Sequence, residues 1–240
     1  MKKEKIIVRE YNSSDNIDRL INLIRDISKN TRLEGCFIYY ASQYNNYLIK
    51  ESVDDNVLLT VIEVYGLIVG VAHFVINGNE LFLNNISIHD DFLGKGYGGI
   101  LLKKSVEMIV DHKDMVLGLH VFKSNIRAMH WYLSLGFIVV RNYNNWYKII
   151  PKKSAINRSN DMQKDNNGFV GIYVDNERIC TVVNDCLIVH NVLLLPMINY
   201  TNFSLVSNGD ITIINKADFN VSFIDSSIYL QLSVKTLLDI

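Results

Sequence analysis

The sequence predicts an α/β (α+β) fold over residues 1–151, followed by a small all-β domain. Three observations predict it. Apolar residues in the first part switch between the 3.6-residue period of a helix and the two-residue period of a strand. Residues 152–168 are polar and aperiodic. Beyond Gly168 come short β-branched and aromatic runs, separated by Asn, Asp and Gly. With 240 residues, 49% hydrophobic and 20% charged, the chain is long and apolar enough for one large or two modest domains with a real core.

In chain order, residues 6–10 read as a first strand. Asn12, Ser13, Ser14 and Asp15 offer N-cap side chains, and Ile17, Leu20, Ile21, Ile24 and Ile27 then mark a helix with one buried face. Residues 31–50, rich in tyrosine, suggest a second helix with irregular ends. Runs at 57–64 and 67–76 flank Tyr65-Gly66 and read as a hairpin. Asn77-Gly78-Asn79 is a further turn, and Leu81 to Ile88 a strand. A glycine-rich stretch, 94–99, leads into a helix running to about Asp111, with Leu102, Val106, Ile109 and Val110 on one face. A strand at 116–122, a short helix at 125–135 and strands at 137–141 and 146–150 follow. Residues 152–168 are expected to be a linker, and 169–240 a β-rich domain with strands near 169–174, 179–183, 186–195, 202–206, 211–215 and 219–224.

Composition removes several function classes. Lys+Arg 24 against Asp+Glu 25 gives a net charge of −1, without the basic excess of a general nucleic-acid or membrane-surface binder. No apolar run approaches the ~18 residues of a membrane span. The charged start, Met1-Lys2-Lys3-Glu4-Lys5, precedes an apolar run too short for a secretion signal. Cys36, Cys180 and Cys186 are scattered and odd in number, which fits free thiols in a reducing compartment. The six histidines are isolated and no C-x-x-C occurs, so no metal is expected. The cytoplasm is the expected location.

The most informative feature is Gly94-Lys95-Gly96-Tyr97-Gly98-Gly99 between a strand and a helix. Helix N-termini carry unpaired N–H groups and partial positive charge, and glycines let backbone approach a phosphate. A dinucleotide-binding reading fails, because the loop follows about four strands instead of opening a βαβ unit. A P-loop reading fails because Lys95 is followed by Gly96 and not by Ser or Thr.

The loop resembles the Arg/Gln-x-x-Gly-x-Gly/Ala motif of the GNAT acetyltransferase family through Gly96-Tyr97-Gly98, with Leu93 at the Arg/Gln position as a departure. Some 30 residues on, Asn125, Ala128, Tyr132, Leu135, Gly136 and Phe137 match the family's Asn-x-x-Ala-x-x-x-Tyr-x-x-Leu-Gly-Phe element. The order of elements matches too, so the resemblance covers residues 5–150. It implies the GNAT fold, a mixed central sheet flanked by helices, with two parallel strands splayed around the pantetheine arm of acetyl-CoA. It further implies that the backbone of Ile86, Ser87 and Ile88 pairs with that arm. The diphosphate is then expected on Gly94, Lys95, Gly96, Tyr97, Gly98 and Gly99, and Asn125 is expected to bind the coenzyme or cap the short helix.

The same resemblance assigns Tyr132 as the acid that protonates the departing thiolate. A phenol of pKa ~10 suits a thiolate of pKa ~8.5; the alternative is an aromatic packed in a helix. His120 stands where relatives that acetylate protein N-termini place a glutamate base, and imidazole suits the task; the alternative is an ordinary strand histidine. Glu80 is a weaker candidate base, and His73, His89, His112, His130 and His190 lack positional support. Tyr39, Tyr40, Tyr44 and Tyr47 lie where the family builds its acceptor site, either as a cation-binding pocket or as packing.

Residues 169–240 carry no chemical motif. They faintly resemble the sterol-carrier-like tails of some large acetyltransferases, though shorter; a small β-sandwich for homodimerisation or acceptor recognition is the broader expectation. The expected function is an acyl-CoA-dependent N-acyltransferase, moving acetyl from acetyl-CoA to a primary amine. The alternative is a non-catalytic GNAT-fold module that binds coenzyme A or regulates.

Overall fold

The computed structural model describes residues 5–109, 114–156 and 159–239, apart from the side chains of Asn142 and Tyr143. Val110, His112 and the first four residues, used above, lie outside the described residues. In chain order the elements are β1 (Ile6–Glu10), α1 (Ile17–Arg25), α2 (Tyr44–Glu51), β2 (Val57–Val64), β3 (Leu67–Asn77), β4 (Glu80–Ile88), α3 (Tyr97–Glu107), β5 (Val116–Phe122), α4 (Ile126–Ser134), β6 (Ile138–Pro151), β7 (Asp161–Lys164), β8 (Val170–Val174), β9 (Glu177–Val183), β10 (Cys186–Val189), β11 (Ser204–Ser207), β12 (Phe219–Ser233) and α5 (Val234–Asp239).

The chain forms two compact units. One holds the described residues up to Lys29, Leu48–Tyr143 and those from Ile228 onward; the other holds Asn30–Tyr47 and Asn144–Ser227.

Strand order in the first unit is β1-β2-β3-β4-β5-β12-β6. β1 to β4 pair antiparallel, and β4 pairs with β5 in parallel. The β2–β3 hairpin closes through Tyr65 and Gly66, both at positive φ (53° and 80°), as a two-residue turn matched to strand twist requires. Asn16 caps α1, its side chain accepting from the Arg19 N–H, and Leu20, Ile21, Leu23 and Ile24 bury the helix's apolar face. On the other face of the sheet, α3 and α4 close a core of Phe74, Leu81, Leu83, Leu101, Leu102, Leu117, Leu119, Phe137, Ile228, Leu230 and Leu232.

The last three of those residues come from β12, which lies between β5 and β6. The first unit therefore does not end near residue 151: one of its interior strands is supplied after residues 152–218. The sequence showed only a short strand at 219–224, and a partner this distant leaves no local signal. The expected strands at 137–141 and 146–150 are one continuous β6. The expected helix at 31–50 resolves into a 3₁₀ turn at Ile38–Tyr40 and α2.

Strand order in the second unit is β12-β6-β11-β10-β9-β8-β7, and β10 and β11 pair in parallel. Its core gathers Ile149, Ile172, Ile179, Leu187, Val189, Leu195, Leu205 and Phe219. Strand β7 falls inside the stretch expected to be linker; its four residues are all exposed and carry no apolar period to reveal it. Residues 211–215, expected as a strand, form turns instead. Tyr39, Tyr44 and Tyr47 pack among themselves and against Phe37 and Phe169 in this unit. These contacts accord with the packing reading of the tyrosines. No helix among the described residues is long and apolar enough to cross a membrane.

Candidate functional site

The site begins where two parallel strands stop pairing. β4 and β5 are in register from Glu80–Val116 to Leu83–Leu119, and no further. Asn84 to Ile88 and His120 to Phe122 run on beyond, leaving a gap between them. On its other edge the end of β4 stays paired to β3, with Ile86 opposite Ala72, Ser87 opposite Val71 and Ile88 opposite Gly70. Gly70 makes this possible, since an added Cβ would stand 2.8 Å from the Ser87 carbonyl oxygen. Among the described residues, no strand pairs with the gap-facing edge of β4 beyond Leu83. A register shift between His73 and Phe74 bulges β4 at Asn84.

The glycine loop lies past the end of β4. Gly94 and Gly96 hold φ of 75° and 81°, which only glycine adopts at little cost. Gly96 caps α3 and offers no side-chain acceptor to the N–H groups of its first turn. An added Cβ at Gly94, Gly96 or Gly99 would meet nothing within 4 Å. The loop is an open cradle at the positive end of a helix. Tyr97 turns into the core, 3% exposed, so only its backbone serves the loop. Lys95 lies with its Nζ 5.0 Å above the Phe92 ring. A groove continues along α3 between Gly96, Gly99, Ile100, Lys103, Lys104 and Glu107. Lys104 is paired to Glu107, Nζ to Oε2 at 2.6 Å. The two lysines were not singled out in the sequence, where they looked like an ordinary solvated helix face.

The loop, the end of β4 and helix α4 meet at Gly98: its Cβ position is 3.4 Å from the Trp131 ring and 3.9 Å from Ile88. Next to Trp131, the Tyr132 ring packs 4.8 Å from Trp131 and 5.4 Å from Phe137, centroid to centroid. Tyr132 is 7% exposed and belongs to the core closed by α3 and α4. Burial pushes its phenol above the ordinary value. Asn125 is exposed and caps α4, its Oδ1 accepting from the Ala128 N–H at 3.1 Å.

His120 lies on the opposite face of the sheet. Leu117, Leu119 and Val121 point into the core of α3 and α4, so Gly118 and His120 point away from it. By the same alternation Glu80 and Phe82 on β4, and Tyr229 and Gln231 on β12, share the His120 face. The imidazole sits between two rings, 5.1 Å from Phe82 and 5.5 Å from Tyr229, each nearly edge-on. Burial holds it below its ordinary pKa; Glu80 opposes that and Arg141 adds to it. The Tyr229 hydroxyl donates to Glu80 and accepts from Gln231 Nε2 at 2.6 Å, while Arg141 lies 5.2 Å from the Tyr229 ring. Tyr229, Gln231 and Arg141 were missed in the sequence, because their strands had no recognised place beside β5.

The structure therefore brings Ile88 at the end of β4, Gly98 of the glycine loop and Trp131 of α4 together. It sets Tyr132 and His120 on opposite faces of the sheet. Among the described residues no group of three or more His, Cys, Asp or Glu is placed to hold a metal.

The model of the acetyltransferase (GNAT) family matches residues 18–137. Comparison with curated proteins finds no match. Among solved structures, similar chains include a GNAT-family acetyltransferase from Streptococcus pneumoniae, at 23% identity over 58% of this chain and 89% of that one, TM-score 0.47. Another is the ribosomal-protein-S18-alanine N-acetyltransferase from Escherichia coli, at 15% identity over 96% and 94%, TM-score 0.48. A third is the PaiA N-acetyltransferase from Thermoplasma acidophilum in complex with coenzyme A, at 20% identity over 57% and 91%, TM-score 0.46.

Proposed function

Because the chain belongs to the GNAT acetyltransferase family, we propose that it is a cytoplasmic N-acetyltransferase that moves acetyl from acetyl-CoA to a primary amine, on a small molecule, protein or peptide, by direct attack. The observation that carries this reading is the end of β4–β5 pairing at Leu83–Leu119, beside a glycine-lined helix start.

The residues present fit the donor. The unpaired edge of Ile86, Ser87 and Ile88 suits the amides of an extended arm, as an added strand would. The N–H groups of Gly94 to Gly99 suit a diphosphate, and Lys95 and Lys103 bring positive charge to that end of the chain. When bound, the donor supplies an acetyl thioester.

The protein's part is orientation and proton movement. His120, whose pKa partial burial lowers, takes the proton that the incoming ammonium must lose, on the face it shares with Glu80 and Tyr229. Tyr132, kept protonated by burial, gives its phenol proton to the departing sulfur from the opposite face. Amine and leaving group thus use different sides of the sheet and do not compete for space.

The test is thermal shift and thiol release with acetyl-CoA against a panel of amines, amino acids and peptides. Stabilisation by acetyl-CoA, with thiol release for at least one amine, is expected. A folded sample that no acyl-CoA stabilises refutes the reading. A second reading, a coenzyme-A-binding module without turnover, draws on Leu93 in place of Arg or Gln and on the burial of Tyr132. Stabilisation with no thiol release from any amine selects it.

A further inference from the structure

Glycine is a poor choice for the interior of a strand, since it packs nothing and costs backbone entropy. Gly118 lies in the middle of β5, and an added Cβ there would stand 2.1 Å from Glu80 Oε1 and 2.5 Å from the Tyr229 hydroxyl. The residue is glycine because the hydrogen-bonded Glu80–Tyr229 pair occupies the space of its side chain. That pair sits two residues before His120, on the same face, and is anchored from three strands. Glu80 comes from β4, Tyr229 and Gln231 from β12, and Arg141 from β6 stands over the Tyr229 ring. Tyr229 is 6% exposed, so its place is fixed by packing as well as by hydrogen bonds.

Resting on the acyl-transfer reading for the role of His120, we propose that Tyr229 is a positioning residue for that base: its hydroxyl holds the Glu80 carboxylate down over Gly118, while its ring and that of Phe82 fix the imidazole. The ionisable groups that face His120 are Glu80 from β4, Arg141 from β6 and Tyr229 from β12. The Tyr229 phenol is itself pushed up to about 12, by burial first and by its bond to Glu80 second, so it remains a donor throughout the working range. The carboxylate thus accepts from a neutral donor and is held at the Gly118 position, two residues along β5 from the imidazole.

The test is an NMR pH titration of His120 in the 240-residue chain, assigned with His120→Gln, for the parent protein, Tyr229→Phe and Glu80→Gln. Tyr229→Phe keeps the ring and removes only the donor, so the carboxylate acts more strongly on the imidazole. The His120 midpoint is expected to rise by about half a unit or more. Glu80→Gln removes the charge, and the midpoint is expected to fall. Midpoints unchanged in both variants overturn the proposal. Thiol release on the same samples separates it from the reading on which it rests. A parent enzyme that turns over while neither variant moves the titration sinks the positioning role alone. Midpoints that move as stated in a protein that acetylates nothing leave the coupling standing and sink the reaction.

Discussion

Nδ2 of Asn84, the residue bulged out of β4 at the mouth of the gap, lies 3.2 Å from Nδ1 of the fully buried His73 on β3. Nε2 of the same ring has no partner among the described residues. Burial pushes this imidazole down to about 4. An unfolded chain protonates the ring near pH 6.5, whereas the folded one resists until about pH 4. His73 therefore favours the fold fully above pH 6.5, and that contribution is lost as pH falls from 6.5 toward 4. The loss is on the order of 3 kcal/mol over that window. Urea unfolding at a series of pH values measures it, and His73→Leu should flatten the dependence. A His73→Leu variant that keeps the parent's slope between pH 6.5 and 4 would show the decline has another source.

Backbone shape, more than charge, should govern coenzyme binding. Gly96 sits at φ 81°, and a β-branched residue there is strained by about 1–3 kcal/mol while crowding the cradle. Gly96→Val should weaken coenzyme A binding roughly tenfold or more, and Lys95→Ala by a few-fold only. Isothermal titration with coenzyme A decides the order. Lys95→Ala emerging as the worse variant contradicts this picture of the loop.

Tyr132→Phe removes the proposed acid and keeps the ring that packs on Trp131 and Phe137. The expected result is a kcat lower by roughly 10²-fold with coenzyme A affinity retained. An unchanged kcat takes Tyr132 out of the mechanism and leaves it a core aromatic.

Since the His120 imidazole lies below its ordinary value and acts uncharged, kcat/KM should fall on the acid side with an apparent pKa below about 6.5. His120→Gln should lower the rate and abolish that limb. Persistence of the limb in His120→Gln would assign it to another group.

A chain cut after residue 151 or 168 lacks β12, hence Ile228, Leu230 and Leu232 of the first core. Such fragments should show no cooperative thermal transition and bind no coenzyme A, by circular dichroism and thermal shift. A cooperative, coenzyme-binding 1–151 fragment would contradict the placement of β12.

What the sequence revealed and what it hid divide along sequence distance. The β2–β3 hairpin was legible because Tyr65-Gly66 and its flanking strands are contiguous, and β5 was read with its observed bounds, Val116–Phe122. The glycine loop and the Asn125–Phe137 element were legible because backbone chemistry there demands particular residues in a short span. β12 was misjudged because Ser226 and Ser227 interrupt its apolar pattern and its neighbours lie far off in the chain. With β12 went Tyr229 and Gln231, and with them the reason for Gly118. The Asn84 bulge was equally hidden, since a register shift is settled by pairing and not by composition.

The position of β12 also has a consequence for biosynthesis. A ribosome makes β5 and β6 and then all of residues 152–218 before the strand that joins them. Until then those neighbours wait with unsatisfied edges, open to wrong pairing and to chaperones. Folding of the first unit is thereby tied to completion of the other unit's polypeptide, so a premature stop in that insert should yield an insoluble product, not a smaller folded protein.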